Sequence, residues 1–217
     1  MQISSQVVKE LRDKTGAGMM DCKRALQSCS GDVEKAQEEL RKKGLAFAEK
    51  KMDKMAGEGT IESYIHIGGR IGILVEVNCE TDFVAKREEF QQIAKDIAMQ
   101  IAACPDVQYI QTSDIPQSVL DKEDEIESQK EDLKEKPEDI KKQIVQGRIN
   151  KRLKEMSLLE QQYIKNTEIT VEEFIKRNIA TMGENIQVRR FVRFILGEGM
   201  EKIEYTFNEE VKKMLQN

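Results

Sequence analysis

An acid and a large apolar ring stand side by side in the run Asn78-Cys79-Glu80-Thr81-Asp82-Phe83-Val84-Ala85-Lys86. A β-rich stretch, residues 70–77, leads into it, and an amphipathic pattern from about residue 82 to 103 leads out. The pair therefore sits where a strand gives way to a helix. Thr81 has the residue type of an N-cap, and Asp82 falls in the first turn, where a negative charge suits the helix dipole. A lone Phe is most simply a core residue, and the run by itself leaves that reading open for Phe83. The thiols offer less. Cys22, Cys29, Cys79 and Cys104 form no C-x-x-C pair and the only histidine is His66, so reduced, packed thiols are expected and a structural zinc site is not. Thiol chemistry at Cys79 or Cys22 would need His66 as its base. No G-x-x-x-x-G-K-[ST] loop occurs, so the chain is not itself expected to be a GTPase, and no cofactor is expected.

The elements that must hold these residues fit within 217 residues, enough for one or two domains with a real core. Hydrophobic residues make up 39% and charged residues 35%, with no Trp, a solvated and helix-leaning composition. A formal charge of −5 argues against a generic nucleic-acid binder. No stretch reaches the roughly 18 apolar residues of a membrane span, and Met1-Gln2-Ile3-Ser4-Ser5 lacks the parts of a signal peptide, so a cytoplasmic location is expected.

The pattern predicts an α+β fold in three parts. Residues 1–50 read as a three-helix module. Val7, Val8 and Leu11 make the first stripe, residues 19–28 the second helix, and Val33, Ala36 and Leu40 the third, stopped at Gly44 behind Lys42 and Lys43. Residues 51–59 read as a linker. Residues 60–217 read as an antiparallel sheet with packed helices. Residues 60–80 form its hairpin, with Ile61, Ile65 and Ile67 on one face, Gly68-Gly69 at the turn, and Ile71, Ile73, Val75, Val77 and Cys79 alternating after it. The next helix carries Phe90, Ile93, Ile97 and Ile101 and stops at Cys104-Pro105. Residues 117–163 are charge-dense, and Ile126, Leu133, Ile140, Ile144 and Leu153 predict an inserted antiparallel coiled-coil arm broken at Pro137. Thr170-Val171-Glu172-Glu173 has capping-box spacing for a helix ending near Gly183. Ile186, Val188, Val192, Phe194 and Leu196 are assigned to one strand face, residues 202–207 to a further strand, and the stretch after Asn208 to a last helix.

Two long stretches carry a resemblance. Leu11-Arg12-Asp13-Lys14-Thr15-Gly16-Ala17-Gly18-Met19-Met20-Asp21-Cys22-Lys23-Arg24-Ala25-Leu26 is similar to the N-terminal signature of the translation elongation factor Ts family. Residues 76–86 are similar to its second signature, and Gly183-Glu184-Asn185-Ile186 and residues 196–202 resemble its C-terminal strand region. The resemblance implies a guanine nucleotide exchange factor for elongation factor Tu, not an enzyme. It implies a ubiquitin-associated-like N-terminal module, and no direct contact with nucleotide, nucleic acid or membrane. Carried over residue by residue, it implies Thr81, Asp82, Phe83 and Val84 as the element that disturbs the GTPase's magnesium site, with Arg12, Met19, Met20 and Lys23 as contacts from the N-terminal module. Long members of the family carry two half-cores. Tyr64-Ile65-His66-Ile67-Gly68-Gly69-Arg70-Ile71-Gly72 resembles the hairpin of the second half fused to the Thr-Asp-Phe-Val element of the first, as in short members, which pair as homodimers. An exposed strand edge and apolar face would give such pairing its physical motive. Two other classes compete with this reading. An adaptor for ubiquitin-like or nascent chains explains residues 4–50 but not the strand–helix junction, and a thiol enzyme needs His66 beside its cysteine.

Overall fold

The computed structural model describes residues 3–133 and 136–200. The strand and helix expected after residue 201 lie outside the described residues.

Three helices open the chain, α1 (Ser5–Thr15), α2 (Met19–Ser28) and α3 (Val33–Met52). Ser4 and Asp32 cap α1 and α3 by accepting from the backbone N–H groups of Val7 and Lys35. Gly16 ends α1 with a left-handed φ of 68° and donates to the Arg12 carbonyl, a bond a side chain would strain. Val8, Leu11, Cys22, Ala25, Leu26, Ala36 and Leu40 close around one another as a separate small core.

The stop expected at Gly44 does not occur, because α3 runs on for two more turns. A Cβ built at Gly44 would stand 3.2 Å from the Ala180 Cβ. The missing side chain is what lets α3 pack tightly on α8 (Val171–Met182). Tertiary packing outweighs the helix cost of a glycine, about 1 kcal/mol. The connection shrinks accordingly to residues 53–57.

Strands β1 (Glu58–Ile65) and β2 (Ile71–Cys79) form the expected hairpin, and β5 (Ile186–Ile195) pairs antiparallel on the other side of β2. Helices cover one face of this sheet. Ile73, Val75, Val77 and Cys79 point into a core shared with Phe90, Ile93, Ile97 and Ile101 of α5 (Glu88–Ala103) and Val171, Ile175 and Ile179 of α8. Each such fully buried side chain contributes about 1.5–3 kcal/mol.

The assignment of Ile186, Val188, Val192, Phe194 and Leu196 to one face, interrupted by Arg190, is corrected by a bulge. Val77 pairs with Val188 but Glu76 pairs with Arg190, so Arg189 is the extra residue. Both arginines hold the Glu76 carboxylate, at 2.7 and 2.6 Å. Past the bulge the alternation flips. Ile186 and Val188 face the core, whereas Val192 and Phe194 face outward and Phe191 and Arg193 turn inward. Arg193 then donates to the carbonyls of Ile101, Cys104 and Pro105, capping α5. Arg193→Met keeps the apolar stem and removes these donors. It is expected to lower the unfolding free energy by about 1.5–3 kcal/mol, read as a lower urea midpoint at unchanged slope.

Between α5 and α8 lie α6 (Gln117–Ser128), α7 (Glu138–Met156) and a small hairpin of β3 (Gln162–Tyr163) and β4 (Asn166–Thr170). Helices α6 and α7 pack on each other, as expected for the charge-dense arm. The apolar residues chosen for it are only partly right. Leu133, Val145 and Ile149 are buried with Ile144 and Leu153 against them, while Ile126 and Ile140 are exposed. Charge fills the gap, since Arg148 bridges Glu127 and Asp132.

Candidate docking site

The strand–helix junction is shorter and sharper than the sequence implies. The helix expected from residue 82 to 103 is two helices. One turn, α4 (Asp82–Ala85), stops at Lys86, and Arg87 returns to extended backbone before α5 begins. Neither glycine nor proline marks the break.

That single turn sorts its side chains sharply. Phe83 is 80% exposed, and the next residue, Val84, is buried in the main core at 7%. Adjacent helical positions point about 100° apart, so anchoring Val84 inward directs Phe83 outward. Asp82 is half exposed and pairs with Lys86 at 2.7 Å, one turn on. The Lys86 ammonium is the main cause that holds the Asp82 carboxyl below its usual range.

Thr81 is spent on holding the turn. Its backbone N–H and hydroxyl both donate to the Glu184 carboxylate, at 3.0 and 2.7 Å. Its hydroxyl oxygen accepts from the Val84 N–H, capping α4. Its carbonyl accepts from the Cys79 thiol at 3.1 Å. Burial first, and then the Glu184 charge, push the Cys79 thiol up to about 11, so it stays protonated at neutral pH. A neutral thiol bonded to a carbonyl is a packing group, which removes the basis for nucleophilic chemistry at Cys79. Glu184 carried no role in the sequence reading. Its signal was its place in the matched Gly183-Glu184-Asn185-Ile186 stretch.

The remaining candidates lie on the N-terminal helices. Met19 and Met20 open α2 and are 43% and 64% exposed. Arg12 on α1 and Lys23 on α2 are exposed, and their side chains make no ion pair among the described residues. Exposed methionine is the residue type suited to an adaptable apolar contact. The structure thus leaves two sets of the expected residues exposed, one on α1 and α2 and one at Asp82-Phe83, with Thr81 and Val84 holding the second from within. His66 lies on the exposed hairpin turn, bonded to the Tyr64 hydroxyl at 3.1 Å, and belongs to neither group. Among the described residues no three His, Cys, Asp or Glu side chains are placed to hold a metal ion, and no helix is long and apolar enough to cross a membrane.

The comparisons with known proteins agree along the chain. The family model described as "Elongation factor TS" matches residues 2–198. "Elongation factor Ts, chloroplastic" of Rhodomonas salina is 65% identical over 213 residues, covering 98% of this chain and 97% of that one. "Elongation factor Ts" of Synechocystis sp. (strain ATCC 27184 / PCC 6803 / Kazusa) is 61% identical over 210 residues, covering 97% and 96%. These matches define a translation factor of the nucleotide-exchange class rather than a catalyst of a covalent step. The chain belongs to the elongation factor Ts family.

Proposed function

We propose that this chain promotes GDP release from elongation factor Tu by binding it best in a geometry that holds nucleotide poorly. Phe83 is the wedge. Asp82 rearranges polar groups beside the GTPase's magnesium ion, and Arg12, Met19, Met20 and Lys23 dock the N-terminal module, which we regard as ubiquitin-associated-like. Thr81 and Val84 act as the mounting of the wedge. The observation that carries this reading is a phenylalanine left bare on a single helical turn that Thr81 and Val84 anchor from within. An exchange factor of this kind need not touch nucleotide. Coupling is reciprocal, so the factor by which the chain weakens GDP is the factor by which GDP weakens the chain.

The same reading includes a homodimer and a coiled-coil character for the α6–α7 pair. The outward sheet face supports the dimer. Ile61, Ile65, Leu74, Val192 and Phe194 are all exposed on it. They lie in register, with Ser63 opposite Leu74 opposite Val192 and Ile65 opposite Gly72 opposite Phe194. A second copy presenting the same face would cover it. A cytoplasm-like compartment belongs to this proposal as well, and relatives named as chloroplastic extend it to plastids.

The direct test is release of fluorescent GDP from elongation factor Tu with and without the full chain. Release is expected to accelerate with chain concentration and to saturate. A release rate that stays flat to high micromolar concentration would sink the proposal.

A further inference from the structure

We infer that Glu184 and Asn185 are positioning residues that lock the Phe83 turn and the N-terminal helices into one preorganised body. The inference rests on the exchange reading above and deepens it. Both residues lie in the short turn between α8 and β5, after Gly183. Neither is a contact residue in that reading.

The two neighbours work in opposite directions. Glu184 reaches the wedge side, where its two oxygens take the N–H and the hydroxyl of Thr81. With its proton committed to Glu184, the Thr81 hydroxyl offers a lone pair to the Val84 N–H, which fixes where α4 starts. Asn185 reaches the other side. It is 1% exposed, and its Nδ2 donates to the carbonyls of Met52 at 3.1 Å and Lys54 at 2.7 Å, at the end of α3. Its own backbone N–H donates to Glu80 at 2.8 Å. Glu80 also meets Lys51 of α3 at 3.3 Å and the Lys54 ammonium at 3.5 Å. The Asn185 N–H, ahead of these cations, holds the Glu80 carboxyl below its usual range.

These bonds join three separate chain segments. Glu80 and Thr81 precede the wedge, Lys51 to Lys54 close the helix that carries the N-terminal module, and Glu184-Asn185 tie them together. The uninterrupted passage of α3 through Gly44 extends the linkage to the module core, where Ala36 and Leu40 are buried. A partner therefore meets two contact groups at fixed mutual placement. Rigid linkage turns the second contact into an intramolecular event with a high effective concentration. Loss of the Asn185 half loosens the end of α3 relative to the wedge, although α3 stays packed on α8 through Gly44 and Ala48. Loss of the Glu184 half leaves the module docked and loosens the wedge itself.

The two halves predict different kinetic faults, which general destabilisation does not. Fluorescent GDP release from elongation factor Tu is titrated with the full chain and with its Asn185→Ala, Glu184→Ala and Phe83→Ala variants. Asn185→Ala is expected to raise the half-saturating concentration about tenfold while changing the plateau rate less than about twofold. Glu184→Ala is expected to lower the plateau rate about tenfold, because small misplacements of an acting group are costly. In the free chain, amide hydrogen exchange over residues 80–86 is expected to accelerate about tenfold in Glu184→Ala. If Asn185→Ala does not fold, Asn185→Leu takes its place, keeping the branched shape and removing the donor without adding a buried charge. Wild-type titration curves for both folded variants, beside a Phe83→Ala variant that has lost exchange, overturn the inference and leave the wedge intact. A half-saturating concentration that rises only by the inverse of the folded fraction, read by circular dichroism, at an unchanged plateau in both variants, also overturns it. If Phe83→Ala exchanges like the wild type, the exchange reading itself has failed. Amide protection then decides the clasp, and unchanged protection over residues 80–86 overturns it.

Discussion

Phe83→Ala is expected to slow GDP release at saturating factor by about tenfold to a hundredfold and to leave folding nearly untouched. The kinetic figure follows from seating one phenyl ring in an apolar pocket, about 1.5–3 kcal/mol, with each ~1.4 kcal/mol worth a factor of ten. The stability figure follows from exposure. A ring 80% exposed in the free chain has little to lose on truncation, and surface substitutions of this kind fall within about 0.5 kcal/mol. The two measurements separate the roles cleanly, because a core phenylalanine would cost about 3–5 kcal/mol on the same change. Stopped-flow release and a urea melt of one preparation suffice. A variant that melts far below the parent, or releases GDP at the parental rate, refutes the wedge.

Leu74→Glu is expected to split the proposed homodimer. Leu74 is on the central strand, flanked in register by Ser63 and Val192, and is 45% exposed among the described residues. In a two-fold assembly each substitution enters the interface twice. Burying carboxylates without partners there costs at least about 4 kcal/mol, roughly a thousandfold in the dimer dissociation constant. In the free subunit the same glutamate points into water, so the fold should persist. Light scattering should move from twice 24.9 kDa to 24.9 kDa. A parent chain that already runs at the single-chain mass at micromolar concentration removes the dimer from the proposal.

Local patterns revealed most of the fold wherever one element met one core. The apolar stripes of α1 and α5 are readable because each helix buries a single face, the start of α8 is readable from its Thr170 cap, and the β1–β2 turn is readable from Gly68-Gly69. The misreadings share a cause, which is that a distant contact outweighed the local signal. Gly44 looks like a stop until Ala180 is seen to need the space. The break at Lys86-Arg87 has no breaker residue, and the inward pull on Val84 and Phe90 sets it. Ile126 and Ile140 match the heptad spacing but are exposed, while Leu133, Val145 and Ile149 are buried and Arg148 adds charge pairs to Glu127 and Asp132. At the candidate site the exposed residues were identified from the matched signatures. Their supports, Glu184 and Asn185, lie about a hundred residues away in sequence and only the fold brings them close.

The extra residue at Arg189 has a consequence for how this strand can drift. Amino-acid replacements there disturb one ion pair with Glu76 and leave the strand's facing unchanged. Loss of a single codon is different in kind. It would turn the distal half of β5 inside out, carrying the helix-capping guanidinium of Arg193 into water and driving Phe194 into a space already filled. The count of letters at this spot, more than their identity, is what keeps one side of the sheet dry and the other available to a neighbour.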